Sequence, residues 1–416
     1  MSRDVFERYE LPARWRWEKL GDICDIADRD HRTPTYEEDG VPLISPRDFT
    51  EDGIDLTSLK RVARYELDAF RKKCKPAKGD ILYSRIGTVG EARLVDFDLE
   101  FVALHSIAMV KPKTPGLLSK YVLYLLKTPS VRNQAKHNIK SVGTPDLGLQ
   151  RIRDFSVPVA PIDQQSSIVA EIEKQFSRLD EAVVNLKRVK ANLKRYKAAV
   201  LTSATRGELL PGAGPFGSIP LAELCGDGLF VDGDWVESKD QDPAGDVRLV
   251  QLADVGDGEF RNKSARFLTR EKAGALGCTF LKAGDLLVAR MPDPLGRACI
   301  FPGDAKDCVT VVDVCIVRPD LERADRRWLM HCINAPQVRQ QVASLEAGST
   351  RKRISRKNLA NVVVPAVPKP LQTQIAAEVD RRLSFVEAAE ESVLENEAAS
   401  FGLRHSILQR AFGQTG

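Results

Sequence analysis

Ala77–Arg85 reads AKGDILYSR, and Lys282–Arg290 reads KAGDLLVAR. In both, a Gly-Asp pair heads a short apolar run closed by arginine, and Gly79 and Gly284 lie 205 residues apart. The correspondence continues downstream. Tyr121…Thr128-Pro129-x-Val131-Arg132 returns as Trp328…Ala335-Pro336-x-Val338-Arg339, and FSVPVAP around Pro158 returns as VVVPAVP around Pro365, both at an offset of 207. One such match can arise by chance. A series in order, drifting by a few residues, marks a duplicated unit whose insertions fall in loops.

Each copy ends in a sustained helical pattern. Ile172, Leu179, Leu186, Leu193 and Val200 recur every seven residues, with Phe176, Val183, Ala182, Val189 and Tyr196 at intermediate core positions. Val379, Val386, Val393, Ser400 and Ile407 repeat the series 207 residues later. A seven-residue apolar repeat over four to five turns of the pattern predicts coiled-coil helices. Pro161 and Pro370 sit just before the two helices and Gly207 and Gly413 at their ends, which suits first-turn proline and terminal glycine. The outer face of the first helix is basic (Lys187, Arg188, Lys190, Lys194) and that of the second acidic (Glu387, Glu390, Glu391, Glu395), which favours pairing within the chain.

The segments ahead of the helices are broken by Gly, Pro and Asp and carry short β-branched runs. These are Val41–Ser45, Ile81–Ser84 and Ile107–Val110, then Val247–Gln251, Leu286–Ala289 and Val309–Val317. Short helices are predicted at Lys120–Leu126 and Arg326–Ile333, and Pro211–Gly217 (PGAGPFG) reads as a linker. The expected fold is α+β. Two similar strand-rich domains, 1–160 and 213–368, alternate with helical regions 161–212 and 369–416. If the helices pack antiparallel, they form a rod of about 60 Å relating the domains by a pseudo-twofold axis. Such spacing suits a long periodic ligand such as DNA.

The chain of 416 residues is long enough for several domains, and 43% hydrophobic with 29% charged residues describes a globular protein. The net charge is only +4, with the positive excess in the first half, so any DNA contact must come from local clusters of Lys and Arg. Eight cysteines without a C-x-x-C read as reduced, mostly buried thiols of a cytosolic protein. No signal peptide or membrane-length apolar stretch is present, so a cytoplasmic location with no membrane partner is expected.

The sequence carries no recognisable catalytic motif. There is no G-x-G-x-x-G and no G-x-x-x-x-G-K-[ST]. MPDPL (Met291–Leu295) resembles an amino-methyltransferase motif but lacks its second proline and aromatic residue, and RPDLE (Arg318–Glu322) lacks the rest of a nuclease site. His31, His105, His137, His331 and His405 have no second ligand at metal spacing. No catalytic residue, metal site or cofactor is assigned. What remains are basic loops. DRDHRTPTY (Asp28–Tyr36) offers Arg29, His31, Arg32, Thr33 and Tyr36, and KHNIKSVGTPD (Lys136–Asp146) offers Lys136, Lys140 and Thr144. EAGSTRKRISRK (Glu346–Lys357) offers Ser349, Thr350, Arg351, Lys352, Arg353 and Arg356 at the equivalent place. With Arg85 and Arg290 these are the candidate DNA contacts, since Arg and Lys address phosphates or guanine and Ser/Thr do both.

Four stretches together resemble the specificity subunit of Type I restriction-modification enzymes over essentially the whole chain. They are LPARWRWEKLGDICDI (Leu11–Ile26), GDILYSRIGTVG (Gly79–Gly90), VPVAPIDQQSSIVAEIEKQFSRLDEAV (Val157–Val183) and TRGEL (Thr205–Leu209). In the second copy VPKPLQTQIAAEV keeps Gln374 and the helix, while Met291–Leu295 replaces the Gly-Thr-x-Gly turn. The resemblance implies two target-recognition domains, each reading half of a split, asymmetric site in double-stranded DNA. It implies helical regions that dock modification (methyltransferase) subunits; the heptad residues Ile172, Leu179, Leu186, Leu193, Val200, Val379, Val386, Val393 and Ile407 are the candidates for helix–helix pairing and subunit docking. Motor-nuclease restriction subunits would join, and S-adenosylmethionine, Mg and ATP would belong to those partners. The chain itself would be no enzyme. A free-standing DNA-binding regulator, which would bind without partners, and a coiled-coil scaffold, which would show no salt-dependent DNA affinity, are the alternatives.

Overall fold

The computed structural model describes residues 9–51, 53–139, 143–292, 294–348 and 352–413. It divides into two compact units: residues up to Leu186 with Glu395 onward, and Lys187–Leu394.

The first unit runs β1 (Arg16–Lys19), α1 (Leu20–Ile23), β2 (Cys24–Asp28), β3 (Tyr36–Ile44), β4 (Lys60–Val62), α2 (Arg64–Cys74), β5 (Ile81–Ser84), β6 (Ala92–Leu94), β7 (Val102–Ala103) and β8 (Ile107–Pro112). Helices α3 (Ser119–Leu126), α4 (Pro129–His137) and α5 (Leu149–Arg153), strand β9 (Ser156–Val159) and the long helix α6 (Ile162–Arg206), whose residues from Lys187 belong to the second unit, follow. Its sheets are ordered β2-β8-β5-β6, β4-β3-β7 and β1-β9.

The second unit carries β10 (Ser218–Pro220), β11 (Leu229–Asp232), β12 (Val247–Val250), β13 (Phe267–Leu268), α7 (Arg270–Ala275), β14 (Leu286–Ala289), β15 (Ala298–Ile300), β16 (Asp307–Thr310) and β17 (Val314–Arg318). Then come α8 (Arg326–Asn334), α9 (Pro336–Ser344), α10 (Arg356–Ala360), β18 (Val363–Pro365) and the long helix α11 (Lys369–Ala411). The sheets are β11-β17-β14-β15, β13-β12-β16 and β10-β18, which is the first unit's order repeated. Register repeats too: Ile81 faces Val110 and Leu94, and Leu286 faces Val317 and Ile300. The duplication read from the sequence is therefore a duplication of fold. One apolar run misled: Val309–Val317 is two strands, β16 and β17, split by a turn at Val311–Asp313 in which the Val314 N–H donates to the Val311 carbonyl.

The repeated Gly-Asp pair has a mechanical reason. Gly79 and Gly284 hold φ of +93° and +91°, which only glycine adopts without strain. The next residue closes the turn: Asp80 accepts from the Ala77 N–H at 2.7 Å and Asp285 from the Lys282 N–H at 2.8 Å. Both carboxylates are buried and paired with a cation on the neighbouring strand, Lys111 and Arg318 respectively. The motif thus fixes where β5 and β14 enter the central sheet.

Glutamine staples recur in the same way. Gln134 exchanges two hydrogen bonds with Ser156, and Gln341 does so with Val363. Buried Gln165 joins the start of α6 to the Ala160 carbonyl and the Leu118 N–H. Its counterpart is Gln372, equally buried and bonded to Val367, Arg323 and the Asp325 N–H. Gln374, the expected equivalent, is exposed, because it lies on the outer side of the same turn.

Within the first unit the opening of α6 packs antiparallel to the end of α11. Val169 and Ile172 share a core with Leu408 and Phe412, and further along Arg404 pairs with Asp180 and lies over the Phe176 ring. That ion pair has the reverse polarity to the expected one, with the acid on the first helix. Within the second unit Val200, Leu201 and Ala204 share a core with Ile375, Ala376 and Val379. The heptad series is the inward stripe: Ile172, Val200, Val379, Val386, Val393 and Ile407 are buried, and Leu179, Leu186, Leu193 and Ser400 half-buried. Phe176 and Val183 are half-buried too. Ala182, Val189 and Tyr196, expected in the core, are exposed, because a stripe this narrow turns its flanks to solvent. Gly207 and Gly413 end the helices at φ +77° and +78°, whereas Pro370 is the second residue of α11 and not its predecessor.

Candidate nucleic-acid interface

Each unit opens a groove at the same place in its framework. Its walls are the short 3-10 turn after β3 or β12, the loop after β5 or β14, the residues leading into β8 or β17, and the loop before α5 or α10. The 3-10 turns form alike: Ser45 and Asp48 bond reciprocally, as do Gln251 and Asp254. The first groove encloses about 570 Å³ and the second about 990 Å³.

Beneath each groove lies the same ion pair. Arg85 Nη2 is 3.3 Å from Asp28 and Arg290 Nη1 is 2.5 Å from Asp232, acid at the end of one strand and base at the end of its neighbour's neighbour. Arg85 also donates to Asp146 at 2.8 Å and lies 2.9 Å from His31 Nε2, and Arg290 donates to the carbonyls of Val312 and Ile354. Their backbones bridge the two loops: the Arg85 N–H donates to Ser106 and its carbonyl accepts from Leu147, while Arg290 does the same with Asp313 and Ile354. Both arginines therefore hold the groove in shape instead of standing free in it.

The other expected residues divide as follows. Arg29 is 4% exposed and bound to Glu66 at 2.5 Å, and Arg32 reaches the same carboxylate at 2.9 Å. Burial would push the Glu66 carboxyl up, but the Arg29 hydrogen bond, the Thr35 N–H and the two guanidinium charges hold it below the usual carboxylate range. These two arginines pin the Asp28–Tyr36 segment and do not line the groove. His31 stacks on His105 with ring centres 5.2 Å apart, and burial with the neighbouring His31, Arg85 and Arg29 charges lowers His105. Tyr36 and Thr144 line the first groove, Arg290 and Arg353 the second. Thr33, Lys136, Lys352 and Arg356 are exposed away from the groove walls, Lys352 paired with Glu346 at 2.8 Å. Lys140, Ser349, Thr350 and Arg351 lie outside the described residues.

The structure adds residues that sequence reasoning missed. Exposed Arg47 and Lys60 line the first groove, with Lys60 5.4 Å above the Tyr36 ring. Ser106 forms its floor, 8% exposed, with a hydroxyl that has no partner among the described residues. In the second groove Arg266 and Asp313 join Arg353, and Trp235 stands 70% exposed on the rim, its indole N–H donating to Glu237 at 3.3 Å. A lone tryptophan in an Asp/Gly-rich loop was the available signal. The arrangement offers cations for phosphates, an aromatic face and hydroxyls or a carboxylate for base edges. Among the described residues no group of His, Cys, Asp and Glu is arranged to hold a metal, and no helix is long and apolar enough to cross a membrane.

Comparison with known proteins places this architecture. Residues 12–193 match the family model of the Type I restriction modification DNA specificity domain. The EcoBI specificity subunit of Escherichia coli is 26% identical over 172 residues, 41% of this chain and 36% of that protein. The EcoKI specificity subunit of Escherichia coli strain K12 is 21% identical over 398 residues, 90% of this chain and 82% of that one. A chain from a structure concerned with complex assembly and conformational transition of the type I R-M system has the same fold, with a TM-score of 0.75 at 20% identity over 98% of this chain and 100% of that one. The HsdS subunit from Thermoanaerobacter tengcongensis gives 0.62 at 20% identity over 98% and 99%. With that domain matched in its first half and the same fold repeated in its second, the chain is similar in sequence and in fold to the specificity subunits of Type I restriction-modification systems.

Proposed function

We propose that this chain reads a bipartite, asymmetric site in double-stranded DNA, one half through residues 1–160 and the other through 213–368. The observation that carries the reading is the pair of grooves: one framework position, built twice on the same ion pair, but lined by different side chains. A duplicated site with identical linings would suit a symmetric target. Different linings suit two unlike half-sites. Arg47, Lys60, Arg266 and Arg353 are exposed and suited to phosphates, so binding should weaken steeply with salt.

Regions 161–212 and 369–416 are assigned to docking of modification subunits. Their outer faces leave Val184, Phe385, Leu394 and Phe401 more than half exposed, which a partner helix or sheet would cover. Methyl transfer from S-adenosylmethionine, and cleavage with Mg and ATP, are assigned to modification and restriction subunits, and recognition alone to this chain. Exchanging residues 1–160 for those of a relative and mapping methylated sites in the assembled complex tests the reading. One half of the motif should change and the other stay. A motif changing in both halves at once overturns it.

A further inference from the structure

The floors of the two grooves carry different hydrogen-bonding chemistry, and the difference sits at one equivalent position. Ser106 and Asp313 each accept, through the backbone carbonyl, the N–H of the groove arginine, Arg85 or Arg290, and each lines its groove. A hydroxyl both donates and accepts, whereas an ionised carboxylate only accepts.

Asp313 is the unusual member. It shares the second groove with exposed Arg353 and Arg266, yet its carboxylate makes no ion pair or hydrogen bond with any described residue. The groove's other acids are committed: Asp234 accepts from the Thr279 N–H and Glu237 from Trp235. Arg290 is held by Asp232. A carboxylate repels phosphate, so the feature of a bound DNA that Asp313 is suited to meet is a base edge carrying an amino group. In the major groove cytosine presents N4–H₂ and adenine N6–H₂ as donors, while guanine presents only acceptors. Adenine sets its N7 acceptor beside the amino group, against the second carboxylate oxygen, so cytosine fits better. The first groove has no such carboxylate, since Asp48 is taken by the Ser45 N–H and hydroxyl. Its floor is the partnerless Ser106 hydroxyl.

We infer that Asp313 is a specificity-determining acceptor, selecting an amino-bearing base, cytosine above adenine, at one position of the half-site read by the second unit, while Ser106 places no such demand on the first. This rests on the two-reader assignment above.

The test selects bound sequences from a randomised duplex library with the full-length chain assembled with its modification subunits, for wild type, Asp313→Asn, Asp313→Ser and Ser106→Ala. Wild type should return a two-part consensus with C or A at one position of the second half. Both Asp313 variants should relax that position by about tenfold, with Asn admitting guanine because its amide also donates. The remaining positions, including the whole first half, should be retained, which also reports an intact fold. Ser106→Ala should leave the second half unchanged. If wild type gives a consensus and both Asp313 variants give the same one at the same stringency, the inference is overturned and the two-reader assignment stands. If wild type gives no consensus, the assignment itself falls.

Discussion

The segments that follow β2 and β11 start from the same strand position and are held by different means. In the first unit residues 29–36 are clamped by charge, with Arg29 and Arg32 converging on Glu66, which has no exposed surface. In the second, residues 233–241 are tied by the Asp234 link to the Thr279 N–H, a Glu237–Asp240 capping box and a long ion pair, Asp240 to Lys272 at 3.5 Å, with no buried arginine among them. The framework beneath is shared, down to the Gly-Asp turn, the glutamine staples and the groove ion pair. What repeats closes backbone hydrogen bonds or buries strand faces. What differs is the lining of the groove and the clamp that holds the segment beside it.

The largest test of that contrast strikes what is shared. Ile172→Asp and Val379→Asp each put a charge into a fully packed core, one per unit, and should each cost about 4 kcal/mol or more. Proteolysis mapping should show each variant opening its own unit first. Equal opening of both units by either change would break the picture of two independent cores.

Glu66→Gln strikes what is not shared. It leaves Arg29 buried without its charge partner, for about 3 kcal/mol in urea unfolding of the first unit alone. The pH dependence has a definite sign. Folded Glu66 releases its proton below the unfolded value of about 4.3, so its contribution is complete above that pH and fades as pH falls through the lower folded value. The variant should therefore lose less stability than wild type on acidification. An identical acid limb would dismiss the clamp.

Gly284→Ala and Gly79→Ala compare one motif in two settings. Both force alanine to a φ near +90°, costing about 1 kcal/mol or more. At Gly284 the added Cβ falls 2.0 Å from Arg326 Nη1, whereas at Gly79 its nearest neighbour is Ser119 Oγ at 3.3 Å. The Arg326 guanidinium can swing aside, so thermal melts should show losses of similar size at the two sites, set by the shared backbone strain. The smallest effects are Arg47→Ala and Arg353→Ala, one exposed cation from each groove. Each should weaken DNA binding modestly on all sequences and lower the log–log salt slope by about 1. Sequence-dependent loss would instead make that arginine a base reader.

The duplication, the sheet entry points and the heptad stripe were legible because they depend on period and on residues with one physical use. Gly79 is glycine because its φ is positive, and Ile172 is apolar because it faces a neighbour every seven residues. The grooves were only partly legible. Arg85 and Arg290 looked like free cations because a sequence does not display Asp28 and Asp232, some 57 residues away, turning to meet them. Asp313 and Ser106 were invisible for the opposite reason: nothing local distinguishes a floor residue from any other turn residue until two distant loops close around it.

The Tyr9 hydroxyl donates to the Phe412 carbonyl across 403 residues, and the Phe412 ring packs on Tyr121 in the first unit's core. A ribosome making this protein therefore finishes almost every strand of that unit long before the residue that seals it exists. The second unit lies inside a single stretch of chain, Lys187–Leu394, and needs nothing synthesised later. The order of completion is thus the reverse of the order of synthesis: the domain begun first is sealed last. Released chains truncated just after Leu394 should carry a closed second unit and a first unit still open along the surface where Leu408 and Phe412 belong.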